Sequence, residues 1–275
     1  MLESGGFIFH NERFLPITLD NASTDDDNYD HRNDSLDNEL VTCDQHEDWH
    51  EISPSIMNIK QEMDETDEQI FREHILFVHK PSGLLSVPGK GPQKADCLSA
   101  RVARKYPSAK ICHRLDRDTS GVMVFGLCPD VHKELSRQFE AKETNKTYVA
   151  LVNGHLKHDK GSINLPIGKQ KTLEGFNRWV IGGEKQRDAY TEYKVLKRFK
   201  SLDGVPYSKV EVYPRTGRGH QIRLHMKAIG HPLLGDTLHA PHVVAHAAPR
   251  LCLHAQSLTC QVFSSICQAE SNAPF

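Results

Sequence analysis

The chain has 275 residues and a formal net charge of −2, and it is long enough to bury a hydrophobic core in one large or two small domains. Its apolar runs fall short of the roughly 20 residues that span a bilayer. Its N-terminal sequence MLESGGFIFH has no basic stretch followed by an apolar segment. We therefore expect neither a membrane anchor nor a secretory signal.

The N-terminal part of the chain is strongly acidic. Residues 1–74 hold 20 Asp and Glu against four Lys and Arg, a net charge of −16. Apolar residues show no sustained period between residues 20 and 68, so we predict that 1–74 is a mostly disordered extension. Within it, GFIFHNERFLPI could form a short strand or pack on the body. The extension is interpreted either as a passive solubiliser or as a mimic of the negative charge of a polyanion.

The remaining residues, 75–275, are predicted to form one folded domain with a net charge of +14. Such a basic body is typical of proteins that bind a polyanion, although a solvated basic surface would show the same composition. In chain order, the patterns predict a buried strand ILFVHK, a Gly/Pro loop PSGLLSVPG and a short helix over 97–106. They then predict a polar loop HRLDRDTSG, a strand GVMVFGL and an amphipathic helix over 130–142.

The second half of the domain is predicted to be rich in strands. KTYVALVNG, AYTEYKVLKRF and SKVEVYP are each expected to form one strand, and LCLHAQSLTCQVF one or two. Between them, TGRGHQIRLHMKAIGHPLLGD predicts a glycine turn, a helix from about 220 to 229 and a loop. Because several strands follow one another without regular βαβ alternation, the pattern favours an α+β fold with a largely antiparallel sheet.

Two polar clusters are candidates for chemistry. In HRLDRDTSG, Asp116 and Asp118 alternate with Arg114 and Arg117, which suits a carboxylate kept ionised by nearby cations. A salt-bridged surface turn has the same pattern. In TGRGHQIRLH, a turn with basic side chains precedes a helix, which suits a phosphate contact, although a polar helix start capped by its own side chains is the alternative. The second cluster contains Arg218, His220, Gln221, Arg223 and His225.

Histidine and cysteine contents raise the question of a metal. The chain has 17 His and seven Cys, but it contains neither HExxH nor a Cys pair at zinc-finger spacing. The scattered cysteines favour reduced thiols in the cytoplasm. We expect no metal, while a metal-dependent phosphoesterase that uses His and Asp stays open as an alternative.

The motifs resemble those of RluA-type pseudouridine synthases. HRLDRDTSG matches the signature HRLD-x-x-TSG of that family at every fixed position. KPSGLLSVPG, KTYVA, TGRGHQIRLHMKAIGHPLLGD and LCLHA match further segments in the family's order, so the resemblance covers about 75–265. It implies the pseudouridine synthase fold, a largely antiparallel mixed sheet flanked by helices, and an isomerase that needs no cofactor.

The resemblance also assigns roles to residues. Asp116 matches the catalytic aspartate, whereas Asp118 stands at a variable position. Tyr148 matches the active-site tyrosine that stacks on the target base, and Arg223 matches the arginine that pairs with the aspartate. Arg114 matches the arginine that enters the RNA stack when the uridine leaves it.

Four other residues of the two clusters are predicted to contact RNA, namely Arg117, Arg218, His220 and Gln221. Two positions depart from the family pattern. His79 replaces the usual asparagine before KPSG, and Gly219 replaces the usual Thr or Ser before HQIR. Neither position carries one of the four main roles, although Gly219 could loosen its turn.

The resemblance further implies a substrate. The acidic extension is unlike an N-terminal RNA-binding module, so the chain most resembles the small dual-specificity members, which act on large-subunit (23S) rRNA and a tRNA anticodon stem-loop. A small enzyme without such a module must read a local RNA shape. We expect a cytoplasmic monomer with no obligate protein partner. A noncatalytic RNA-binding protein that keeps the fold is the alternative.

Overall fold

A computed structural model describes residues 48–53, 55–58, 73–173, 175–201, 204–262 and 265–275. The predictions for residues 1–47 and 59–72, including the short strand in GFIFHNERFLPI, lie outside these ranges. Fourteen strands and four α-helices lie within them. The helices are α1 (Leu98–Lys105), α2 (Pro129–Ala141), α3 (Gln221–Ala228) and α4 (His242–Ala245). The strands are β1 (His50–Ile52), β2 (Ser55–Asn58), β3 (Ile75–Lys80), β4 (Lys110–Ile111), β5 (Ser120–Gly126), β6 (Asn145–Asn153), β7 (Lys160–Asn164), β8 (Ile167–Lys171), β9 (Asn177–Ile181), β10 (Glu184–Arg187), β11 (Tyr190–Lys200), β12 (Pro206–Pro214), β13 (Leu253–Val262) and β14 (Ser265–Glu270).

Eleven of the described strands form one mixed sheet. Its main path runs β1-β3-β5-β13-β6-β12-β11-β7, with β4 beside β5 and β14 between β13 and β2. Strands β5 and β13 pair in parallel, where Ser120 lies opposite His254, and the other neighbours in this sheet are antiparallel. The prediction of an α+β fold with a largely antiparallel sheet is therefore confirmed. A second, three-stranded sheet has the order β10-β8-β9.

Strand β5 is buried along its whole length because both of its faces are covered. Val122 and Val124 pack in the apolar cluster that contains Val131 and Leu135 of helix α2. Its other face, which carries Met123 and Phe125, packs in the cluster that contains Leu98 and Val102 of helix α1. A strand covered on both sides has a continuous apolar sequence rather than an alternating one, as GVMVFGL does.

Most of the predicted elements are confirmed within one or two residues. The helices expected over 97–106, 130–142 and 220–229 correspond to α1, α2 and α3. Sequence reasoning missed strands β4, β7 to β10 and β14 and helix α4. It also missed β1 and β2, which lie inside the segment assigned to the extension and pair with β3 and β14. None of the helices in the described part of the chain has the length and apolar character required to cross a membrane.

Candidate active site

A cleft of about 760 Å³ opens where the loop before β5 meets the turn before helix α3. The loop spans residues 112–119 and the turn spans 215–220. All eight residues that the sequence assigned to the site line this cleft: Arg114, Asp116, Arg117, Tyr148, Arg218, His220, Gln221 and Arg223. The fold therefore brings together side chains from segments that lie far apart in the sequence.

The segment KPSGLLS forms hydrogen bonds that hold the loop over 112–119 in place. The buried ammonium of Lys80 donates hydrogen bonds to the carbonyl oxygens of Pro81, Leu84 and Arg117 at 2.8–2.9 Å. Burial lowers the pKa of Lys80 to about 7. Ser86 donates to the Leu115 carbonyl at 2.7 Å and accepts from the Leu115 N–H at 3.1 Å. The residues on either side of Asp116 are thus fixed by a neighbouring motif.

Asp116 is the carboxylate on which two basic side chains converge. Its side chain is 32% exposed, Arg223 Nη1 lies 3.7 Å from its Oδ2, and His220 Nε2 lies 3.9 Å from the same oxygen. Both distances are too long for direct hydrogen bonds, so the guanidinium of Arg223 stabilises the negative charge by Coulomb attraction, and the imidazole of His220 adds a polar contact. The geometry places a carboxylate beside a guanidinium at an opening that a substrate can enter.

Arg223 is held by a second, buried carboxylate, Asp236. The two side chains are 3% and 1% exposed, and Arg223 donates to Asp236 through Nε at 2.9 Å and through Nη2 at 2.5 Å. Burial alone would lower the pKa of the Arg223 guanidinium, but the hydrogen bonds and charge of Asp236 raise it. Burial would likewise raise the pKa of Asp236, and Arg223 lowers it. This bidentate pair fixes the plane of the guanidinium that faces Asp116.

Tyr148 brings strand β6 into the cleft. It lies opposite Ala255 of β13 and Val212 of β12, and its half-buried ring packs between two apolar clusters. Burial raises the pKa of the Tyr148 phenol above its ordinary value, and the nearby charge of Asp116 raises it further. The phenol is therefore protonated near neutral pH.

Gln221 is buried, and its amide is committed to the protein. Its Oε1 accepts from Thr216 Oγ1 at 2.8 Å and from the Arg218 N–H at 3.0 Å, and its Nε2 donates to the Tyr190 carbonyl and to Thr191 Oγ1, both at 3.0 Å. These bonds tie the turn to strand β11. A direct RNA contact by Gln221 stays a prediction, and in this geometry the residue orders the turn.

The three arginines assigned to RNA differ in their surroundings. Arg114 is exposed at the cleft, and no partner for its guanidinium is found among the described residues. Arg117 forms an exposed ion pair with Asp118 at 2.8 Å. Arg218 donates through Nε to the Asp188 carbonyl at 3.0 Å. Arg114 is thus the most available of the three for a ligand.

Both departures from the family pattern have a structural reason. A Cβ at Gly219 would lie 2.4 Å from atoms of Trp179, so the indole of strand β9 occupies the space of a side chain. His79 lies away from the cleft, where it is buried, stacks on His50 at 4.8 Å and shares a hydrogen bond of 2.8 Å with Ser271 Oγ. Neither departure changes one of the four residues that were assigned the main roles, although Gly219 lines the cleft without a side chain.

Sequence reasoning missed Lys80, Asp236 and His239. Lys80 and Asp236 lie within the quoted segments KPSGLLSVPG and GHPLLGD, but a segment match alone does not reveal which side chain contacts the site. Within the described ranges, no group of three or more His, Cys, Asp or Glu side chains is arranged to hold a metal ion.

Comparisons with known proteins show the family of the chain. Residues 74–228 match the family model described as RNA pseudouridylate synthase. The chain is 45% identical over 188 residues to the dual-specificity RNA pseudouridine synthase RluA of Pasteurella multocida. The aligned region covers 68% of this chain and 83% of that protein. It is 42% identical over 194 residues to the protein of the same name from Escherichia coli K12, with coverage of 68% and 83%. The solved structure of human RNA pseudouridylate synthase domain containing 1 superposes with a TM-score of 0.63 at 28% identity, over 74% of this chain and 81% of that chain.

Proposed function

The chain belongs to the family of RNA pseudouridylate synthases, isomerases that convert uridine to pseudouridine in RNA, and we propose that Asp116 is its catalytic carboxylate. The observation that carries this proposal is the convergence of Arg223 and His220 on Asp116 Oδ2 inside a cleft. Asp118, its neighbour in the motif, is paired with Arg117 instead.

The reaction first requires the uridine to leave its stack, at a cost of a few kcal/mol. We assign to Arg114 the place that the base vacates, because a planar cation can stack and donate hydrogen bonds there. Phosphate contacts by Arg117 and Arg218 would offset the remaining cost, and an RNA contact by His220 stays a prediction.

The chemistry exchanges one bond to the sugar for another. The C1′–N1 bond breaks, the uracil turns, and a C1′–C5 bond forms, while the proton leaves C5 and N1 gains one. Three routes are open to Asp116: attack at C1′, attack at C6, or removal of the 2′ proton to give a glycal. Each uses one ionised carboxylate and needs no redox group or metal.

Tyr148 is proposed to stack on the uracil and hold it near Asp116. Because burial raises its pKa, the phenol is a poor base near neutral pH. The acceptor of the C5 proton is proposed to be either Tyr148 or a water.

The proposed substrates are large-subunit (23S) rRNA and a tRNA anticodon stem-loop. The support is the name of the relatives, dual-specificity RNA pseudouridine synthase, together with the compact basic body of this chain. We further propose that the protein works in the cytoplasm as a monomer, without a cofactor or an obligate protein partner.

Tritium release tests both the activity and the substrates. Transcripts of tRNA and of 23S rRNA fragments that carry [5-³H]uridine lose tritium when C5 forms its bond to the sugar. We expect tritium release from one tRNA transcript and from one 23S rRNA fragment. The modified uridines are then mapped in each. Release from only one class would contradict dual specificity, and tight RNA binding without release from any RNA would favour the noncatalytic alternative.

A further inference from the structure

Two histidines form a hydrogen-bonded pair behind Asp116. His239 Nε2 lies 2.7 Å from His220 Nδ1, and the opposite nitrogen of His220, Nε2, lies 3.9 Å from Asp116 Oδ2. His239 is 3% exposed, so it has no direct access to a substrate in the cleft. His239, His220 and Asp116 thus form a chain of contacts from the buried interior to the proposed catalytic carboxylate.

The order of donors along this chain of contacts follows from simple electrostatics. A neutral imidazole donates from one nitrogen and accepts at the other. A carboxylate repels a nitrogen lone pair and attracts an N–H, which favours the proton of His220 on Nε2. His220 Nδ1 is then an acceptor, and His239 Nε2 must be the donor of the 2.7 Å bond.

Both histidines are neutral near pH 7. The hydrogen bond between them therefore determines which nitrogen of His220 carries the proton, and it does not change the charge of His220. Burial lowers the pKa of His239 to about 4 and also lowers the pKa of His220. Asp116 and Asp236 act against this shift at His220, and Arg223 acts with it.

The backbone around the pair is firmly placed. The His239 N–H donates at 3.0 Å to Asp236 Oδ1, so the carboxylate that orients Arg223 also anchors His239. His220 adopts a left-handed conformation with φ 55°, which is uncommon for a residue with a side chain and is retained only where surrounding contacts enforce it. Asp236 therefore links both basic groups that face Asp116.

We propose that His239 is a positioning residue that fixes the Nε2–H tautomer of His220, so that an N–H and not a nitrogen lone pair faces Asp116. The inference rests on the proposed catalytic role of Asp116. It gives His220 a task beyond the RNA contact predicted from the sequence. It also predicts that a donor at position 239 is required, rather than a histidine as such.

Two substitutions separate the donor from the bulk of the side chain. His239→Gln places an amide N–H near the position of Nε2, whereas His239→Met is similar in size and has no donor. We expect His239→Met to lower the single-turnover rate of pseudouridine formation roughly tenfold, the effect of losing about one hydrogen bond, with RNA affinity unchanged. His239→Gln should restore most of the rate. A wild-type rate for His239→Met, or a His239→Gln variant as slow as His239→Met, would overturn the proposal.

Nitrogen NMR of the full chain tests the tautomer without reference to activity. With ¹⁵N-labelled histidine, His220 should show its proton on Nε2 in the wild type, and this preference should be lost in His239→Met. A proton on Nδ1 of His220 in the wild type would refute the proposed role of His239 even if Asp116 is catalytic. Wild-type turnover by Asp116→Asn would instead remove the proposed function and leave the tautomer result standing.

Discussion

At the scale of single residues, the site depends on the buried ion pair between Arg223 and Asp236. Of the two, only Arg223 lines the cleft. Asp236 is 1% exposed and compensates the charge of Arg223. Removing one partner of a buried pair leaves the other charge without compensation, which typically costs about 3–5 kcal/mol. We expect Asp236→Asn to lower the free energy of unfolding by this amount in urea denaturation and to reduce turnover as well.

Asp118→Asn is the matched control for that prediction. Asp118 forms an ion pair with Arg117, whose side chain is 62% exposed, and such surface pairs contribute less than about 1 kcal/mol. A loss of stability for Asp236→Asn no larger than for Asp118→Asn would contradict the assignment of Asp236 as the structural anchor of Arg223.

The sequence predicted the residues that line the cleft better than it predicted their supports. The motifs contain Asp116, Arg223 and their neighbours, and the structure places all eight predicted residues around one opening. The supporting contacts of Asp236 and His239 were missed because they depend on how the loop after helix α3 folds back. Residue types and spacing carry no information on that path.

At the scale of elements, the site depends on the parallel junction between β5 and β13. Gly121 has φ 117°, and a Cβ at this position would lie 2.2 Å from the Ala255 carbonyl oxygen. Gly121→Ala therefore adds a backbone clash to a conformation that L-residues rarely adopt. We expect it to lower the free energy of unfolding by about 3 kcal/mol or more in urea denaturation.

Gly217→Ala serves as the control for this junction. A Cβ at Gly217 meets no atom within 4 Å, so its addition should leave stability nearly unchanged. Equal stability of the Gly121→Ala and Gly217→Ala proteins would show that β5 and β13 can separate freely, against the packing described above.

The strength of the apolar pattern decided which elements were predictable. Strands β3 and β5 have continuous apolar sequences and are fully buried, so they stand out. Strands β7 to β10 are four or five residues long, and β10 has the sequence EKQR with every residue exposed. Their pairing is set by neighbouring strands and turns, which a local hydrophobic pattern does not record.

At the scale of the whole molecule, a fully buried histidine links stability to pH. His254 is 0% exposed, its Nδ1 shares a hydrogen bond of 2.8 Å with Ser120 Oγ, and its Nε2 is 2.9 Å from the Ser271 carbonyl. Burial lowers the pKa of His254 to about 3. Between this value and the unfolded pKa of about 6.5, the unfolded chain binds more protons, so stability falls as the pH falls, by up to about 1.4 kcal/mol per pH unit.

Urea denaturation near pH 7 and near pH 5 measures this linkage. We expect the wild type to lose about 2 kcal/mol more than His254→Gln between the two pH values. His158→Gln, at an exposed position, should lose as much as the wild type. Equal losses in the wild type and His254→Gln would contradict a neutral His254 in the folded protein.

The architecture of the whole molecule was predictable as a class. The order of helices and strands predicted an α+β fold, and the structure confirms a largely antiparallel sheet. The position of β13 between β5 and β6 was not predictable because it pairs segments more than a hundred residues apart.

The measurement that tests the account most directly is the single-turnover formation of pseudouridine by Asp116→Asn, with Asp118→Asn in parallel. Asparagine keeps the shape of the side chain and removes the charge that Arg223 and His220 face. The account predicts no detectable product from Asp116→Asn with RNA affinity largely preserved, and near wild-type turnover from Asp118→Asn. Turnover by Asp116→Asn at the wild-type rate would contradict it.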